Sequence, residues 1–260
     1  MSNRTNTGIA TETGRRSFLA AMAAGSAAIF TGQAIPATFA NPLSPLAPPQ
    51  AKKPLRLGLV TYQWGKDMPL PELLQVCERT KYAGVELRST HKHGVEPSLS
   101  RQQRDEVKKR FADSPVALVG LGSACEYHSA DPAVVKKNID ETKAFIDLCA
   151  ELGGSGVKVR PNGLPKEVPV EKTLEQIGKS LRIVGEYAAA AGQQIRVEVH
   201  GAGTQEIPNM QKMMSIADHP SVVICWNCNP TDLKGPGFEA NFDLLARWMG
   251  TVHIHDLRPG

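Results

Sequence analysis

The sequence predicts an α/β fold, a (β/α)8 TIM barrel truncated after strand seven, and three observations carry that expectation. Seven short, nearly continuous apolar runs alternate with amphipathic stretches, the pattern of parallel strands covered on both faces. The polar residues that close the runs are Tyr62, Glu86, Glu126, Lys158, Glu198, Asn227 and His255, spaced 24 to 40 residues apart. One βα unit takes roughly thirty residues. No G-x-G-x-x-G follows the first run, so the fingerprint of a dinucleotide-binding sheet is missing. The chain stops one strand short of eight, which implies either a truncated sequence or a barrel closed by a partner.

Taken in order, residues 1–40 read as an export signal. Arg15-Arg16-Ser17-Phe18-Leu19 precedes a soft apolar run from Ala20 to Phe30, and small residues near Thr38-Phe39-Ala40 suit cleavage. This is the layout of a twin-arginine signal, a route that carries folded proteins, and it predicts a periplasmic location. Residues 41–54 hold five prolines and read as an extended linker. The barrel domain is expected over 55–260.

The strands are expected at 55–61, 84–87, 116–121, 156–159, 195–199, 222–226 and 251–254. Between them, Ser100 with Gln103 three residues on forms a capping-box pattern. Asp131-Pro132 reads as an N-cap followed by proline at the first helical position, and Gly153-Gly154 ends that helix. Leu174, Ile177, Leu181, Val184 and Ala188 make one helical stripe, stopped by Gly192. Pro208 opens a helix whose Met210, Met213 and Met214 belong to the core. Phe242, Leu245 and Trp248 mark the last one.

Composition excludes several classes. With 41% hydrophobic and 22% charged residues the chain is an ordinary globular protein. Beyond the N-terminus no eighteen-residue apolar stretch predicts a membrane span. The formal charge of +4 falls to +2 once residues 1–40 are set aside, too weak a bias for a nucleic-acid partner. Five cysteines do not make a disulfide framework, and Cys225-x-x-Cys228 lacks the second pair of a zinc site.

The chemistry-bearing residues gather at the strand ends, where barrel active sites sit. They are Glu86, Arg88, His91 and His93; Glu126 and His128; Lys158 and Arg160; Glu198 and His200; Asn227, Asn229 and Asp232; His253, His255 and Asp256. Of seven histidines only His219 lies elsewhere. Glu86 and Arg88 are equally well read as an ion pair in the barrel mouth, and His91 and His93 as loop residues. Glu126 and His128 either reach a substrate or pair within their loop. Trp64 and Trp226 stack on a sugar or pack the mouth.

The order Val197-Glu198-Val199-His200-Gly201, Ile224-Cys225-Trp226-Asn227 and Val252-His253-Ile254-His255-Asp256 resembles the xylose isomerase-like TIM barrels, the sugar phosphate isomerase/epimerase superfamily. The resemblance covers residues 55–260. It implies a divalent ion (Mn, Mg, Co or Zn) held by Glu198, Asn227 and His255, with Asn227 where the family has Asp. The strand-eight Glu of the family has no counterpart. The resemblance also implies Glu198 as catalytic base, with substrate contacts from His200, Lys158 and Arg160; Glu126, His128 and Trp64 are candidate substrate contacts from their own places near the strand ends. The reaction implied is isomerisation or epimerisation of a small sugar, by proton transfer α to a carbonyl through an enediolate. His253, alternating with His255, is expected in another environment. Two other readings stand beside it: a non-catalytic carbohydrate-binding barrel, and an AP endonuclease-like phosphodiesterase. Homo-oligomerisation is left open.

Overall fold

The computed structural model describes residues 56–254. The export signal expected over 1–40, the linker over 41–54 and the expected metal ligand His255 lie outside the described residues.

Seven strands form one parallel sheet in sequential order: β1 Gly58–Val60, β2 Gly84–Arg88, β3 Ala117–Gly122, β4 Gly156–Val159, β5 Gln194–Glu198, β6 Val222–Trp226 and β7 Met249–Val252. The helices between them are α1 Leu70–Arg79, α2 Arg101–Ala112, α3 Pro132–Leu152, α4 Val170–Ala190, α5 Ile207–Ala217 and α6 Phe238–Leu245. The sheet curls as a (β/α) barrel lacking its eighth unit among the described residues. Every pairing from β1·β2 to β6·β7 is parallel, so each connection is a crossover that carries a helix onto the outer face.

Local sequence accounts for the helix ends. Ser100 Oγ accepts from the Gln103 N–H, and the Gln103 side chain accepts from the Ser100 N–H, the reciprocal capping box of α2. Asp131 caps α3 by accepting from the Ala133 N–H, and Gly153 ends it in the left-handed region at φ 82°. The last predicted helix divides into α6 and a short 3₁₀ turn over Ala246–Trp248, and β7 begins two residues earlier than expected. β1 is shorter than its apolar run, with only Gly58–Val60 in the ladder.

The main core lies between sheet and helices. Val85, Leu87, Val157, Val159, Ile195 and Val197 are buried to within 1% exposure, against Ile146, Cys149, Ile177, Leu181 and Met213 of α3, α4 and α5. The alternate residues of these strands form the barrel interior, and glycines make room for charge there. A Cβ at Gly156 would stand 2.9 Å from Arg196 Nε, one at Gly120 would stand 2.8 Å from an Arg196 terminal nitrogen, and one at Gly122 would stand 3.1 Å from Glu86 Oε1. Arg196 fills that space and donates to Val119 O at 3.0 Å and Ser155 Oγ at 2.7 Å. Small side chains on β3 and β4 thus admit ionic ones from β2 and β5. Among the described residues no helix is long and apolar enough to cross a membrane.

Candidate active site

Parallel pairing puts Lys158 opposite Arg196, so Glu198, two residues on, rises above that pair at the C-terminal end of β5. Lys158 Nζ donates to Glu198 Oε2 at 2.6 Å. Lys158 is 2% exposed and Glu198 9%. Both charges are out of bulk water and each depends on the other.

The pair belongs to a longer chain of charges. His253, just past β7, sets Nδ1 3.9 Å from Glu198 Oε1 and Nε2 3.4 Å from Glu86 Oε2 on β2. One imidazole thereby spans from the last strand to the second. Burial pushes the His253 imidazole down, but Cys225, Glu198 and Glu86 overcome this and push it up to about 12. Burial also pushes Glu198 up, yet the neighbouring His253 and Lys158 hold it well below the usual carboxylate range. Glu86 is lowered in the same way: burial opposes, and His253, Lys158 and Arg196 prevail. All three groups are charged at neutral pH.

The mouth of the site is a second polar layer. Glu126 Oε1 accepts from Arg160 Nε at 3.1 Å and from Asn162 Nδ2 at 2.5 Å, and its Oε2 lies 3.8 Å from His128 Nδ1. Asn162, in the left-handed region at φ 66°, bridges to Gly201 beside β5. Gly201 has φ 96°, and a Cβ there would collide with the Asn162 backbone, so only glycine lets the two loops meet. His200 is half-buried and its Nδ1 is buried without a partner. Burial, with Arg160 and Lys158 against Glu198, lowers its pKa and keeps it neutral.

The structure sorts the expected residues. It brings together Glu198 with Lys158, and Glu126 with Arg160 and His128. Asn227 donates to Asn229 Oδ1 at 3.3 Å, and Asn229 in turn donates to Val199 O at 2.6 Å, so this amide is tied into the β5–β6 mouth. Trp64 is 74% exposed in the bend after β1, and no ring contact within the described residues holds it. Trp226 packs edge-on against Phe238 and Phe242. Glu86 takes His253 as its partner, and Arg88 lies over the Tyr62 ring at 4.5 Å. His93 is buried and accepts from the Val95 N–H, a loop brace. By sequence His253 stands at a strand end but is set apart from the site, whereas the structure puts its imidazole between Glu86 and Glu198; residues two apart along a strand share a face. The one available signal was its position two residues before His255, on the face that Glu86 and Glu198 share.

A divalent ion does not fit the described donors as they stand. Of the expected ligands Glu198 and Asn227, Glu198 is the anionic one, but one of its oxygens accepts from the Lys158 ammonium and the other faces the His253 imidazolium. Among the described residues no three His, Cys, Asp or Glu side chains are grouped so as to hold an ion.

The chain belongs to the xylose isomerase-like TIM barrel family, whose model matches residues 74–260. A comparison with curated proteins found no match. Among solved structures the chain resembles 3-keto-D-glucoside 4-epimerase YcjR from E. coli, with 13% identity, TM-score 0.66, and 78% of this chain and 80% of that one covered. It resembles D-psicose 3-epimerase from Clostridium cellulolyticum H10, solved with D-tagatose, with 14% identity, TM-score 0.65 and coverage of 76% and 72%. It also resembles the IolI protein, solved with a zinc atom, with 18% identity, TM-score 0.62 and coverage of 72% and 67%. At these identities the likeness is one of fold.

Proposed function

We propose that this chain is a carbohydrate isomerase or epimerase that moves a proton on the carbon next to a carbonyl. One observation carries the reading: an ionised carboxylate, Glu198, stands at the barrel mouth in direct contact with a buried ammonium, Lys158. An enediolate needs a base for the C–H proton and a cation for the oxygen on which charge develops. Lys158 supplies the cation. A substrate oxygen that draws the ammonium toward itself relaxes its hold on Glu198, whose affinity for a proton rises as the C–H bond breaks. His253 and Glu86 fix Glu198 from behind, and neutral His200 is the group able to exchange a proton with a sugar hydroxyl. Sugar epimerases among the similar structures support this reading.

A divalent ion shared by Glu198, Asn227 and His255 belongs to the proposal as a separate part, supported by the zinc in the IolI structure. It requires Lys158 to withdraw. Export to the periplasm is likewise part of the proposal, supported by Arg15-Arg16-Ser17-Phe18-Leu19. Replacing both arginines by lysine is expected to keep the protein in the cytoplasm.

The test of the chemistry is proton exchange. Keto-hexoses and aldo-hexoses incubated with the protein in D2O are expected to gain deuterium α to the carbonyl, read by NMR. Glu198→Gln is expected to slow this at least a hundredfold. Exchange that persists in Glu198→Gln would remove this carboxylate from the mechanism.

A further inference from the structure

A cavity of about 560 Å³ lies between the loops that follow β3, β4 and β5, with the first turns of α3 along one wall; neither Lys158 nor Glu198 lines it. Its size falls within the roughly 300–1,000 Å³ of small-molecule sites. Glu126, His128 and Glu167 bring polar groups to it, Leu164 and Pro165 bring apolar faces, and Ala202 closes one side. Arg160, which holds Glu126, stands just past β4, two residues after Lys158.

The charges around the cavity discriminate between ligands. The two cations contributed by the β4 end are already committed, Lys158 to Glu198 and Arg160 to Glu126. The charged side chains lining the cavity itself are carboxylates, Glu126 and Glu167. A phosphate there would meet like charge, and no guanidinium or ammonium is among the side chains lining the cavity. A neutral ring with several hydroxyls meets complementary groups. Glu126 Oε2 has only the distant His128 beside it and is open as an acceptor. The apolar side of Leu164 suits a sugar C–H face.

We propose that this cavity is a subsite for a second, uncharged sugar ring, so that the substrate is a glycoside or disaccharide and not a free or phosphorylated monosaccharide. The inference rests on the reading of Glu198 and Lys158 as the reacting site, because that pair places the ring that is transformed.

Calorimetric titration of the full chain with cellobiose, maltose, lactose, glucose, galactose and glucose 6-phosphate tests it. At least one disaccharide is expected to bind ten times more tightly than its constituent monosaccharides and than the phosphate. Ala202→Phe, which fills the cavity away from Glu198, is expected to erase that margin while monosaccharide affinity stays within twofold and the melting curve is unchanged. Gly163→Ala serves as a second variant. Its new Cβ would lie 3.7 Å from the His128 ring, an ordinary contact, so it leaves folding intact and is expected to reduce the margin in part. Tighter binding of glucose 6-phosphate, equal binding of mono- and disaccharides, no disaccharide binding, or a margin untouched by Ala202→Phe would each overturn the proposal. Glu198→Gln keeps the margin if the subsite is real, so a failure of the catalytic reading shows as lost exchange and a failure of the subsite as lost margin.

Discussion

Lys158 on β4 and Glu198 on β5 meet at 2.6 Å inside a barrel mouth where the lysine is 2% exposed. A buried pair of this kind gains little over an apolar replacement, but breaking it strands one charge. Lys158→Met is therefore expected to lower stability by about 3–5 kcal/mol. The double variant Lys158→Met/Glu198→Gln is expected to lose less than the sum of the two single variants, by roughly 1–3 kcal/mol. Urea unfolding of the four proteins measures this coupling, and strict additivity would contradict the pair.

The same ammonium governs cations from solution. Any divalent ion that reaches Glu198 must displace Lys158 or sit beside its charge, an unfavourable contact at this range. Calorimetry with Mn²⁺ is expected to show at least tenfold tighter binding to Lys158→Gln than to the wild-type chain. The gain should vanish when Glu198→Gln is added. Equal affinities for the wild-type and Lys158→Gln chains would mean that the ion binds elsewhere.

The His253 cluster sets a pH dependence with two opposite limbs. Glu86 and Glu198 titrate below their unfolded value of about 4.3. The stability they contribute is present above that pH and is lost as pH falls through the folded pKa. His253 is raised to about 12, so its contribution is complete below the unfolded value of about 6.5 and declines as pH rises from there toward 12. The contribution of this cluster is thus expected to peak between about pH 4.3 and 6.5. His253→Asn should flatten the alkaline decline, read as urea midpoints at about pH 6, 8 and 10. An unchanged alkaline limb would rule His253 out as its source.

Helices α4 and α5 touch through a glycine. A Cβ at Gly178 would stand 2.6 Å from Ile216 Cβ and 2.9 Å from the Met213 carbonyl oxygen. The carbonyl belongs to helix backbone and cannot swing away. Alanine gains about 1 kcal/mol in helix propensity, but overpacking costs about 1–3 kcal/mol. Gly178→Ala is expected to destabilise, and a raised melting temperature would show that the helices can separate at little cost.

Much of the framework was legible because it is local. The capping box of Ser100 and Gln103, the Asp131-Pro132 start and the Gly153 stop depend on residues within a few positions of one another. The strand order was legible from the spacing of apolar runs. Helix α1 was not: it opens behind Pro69 with no side-chain cap, although Leu70, Leu73, Leu74 and Cys77 form its buried face. Glu198 was legible as a carboxylate at the end of an apolar strand. Its partners were not, because Lys158 lies 40 residues and His253 55 residues away along the chain.

The sequence by itself determined the alternation of strand and helix, the parallel barrel class and the gathering of carboxylates, imidazoles and amines at one end of the sheet. These follow from periodicity and capping, which act over a few residues. Only the tertiary structure decided that Lys158 would neutralise Glu198, that His253 would reach both Glu198 and Glu86, and that Glu126 and Arg160 would pair beside a cavity. Those choices depend on strand register and on the space that Gly122 leaves for Glu86 and that Gly120 and Gly156 leave for Arg196. A carboxylate's charge and proton affinity are set by the neighbours that register delivers to it.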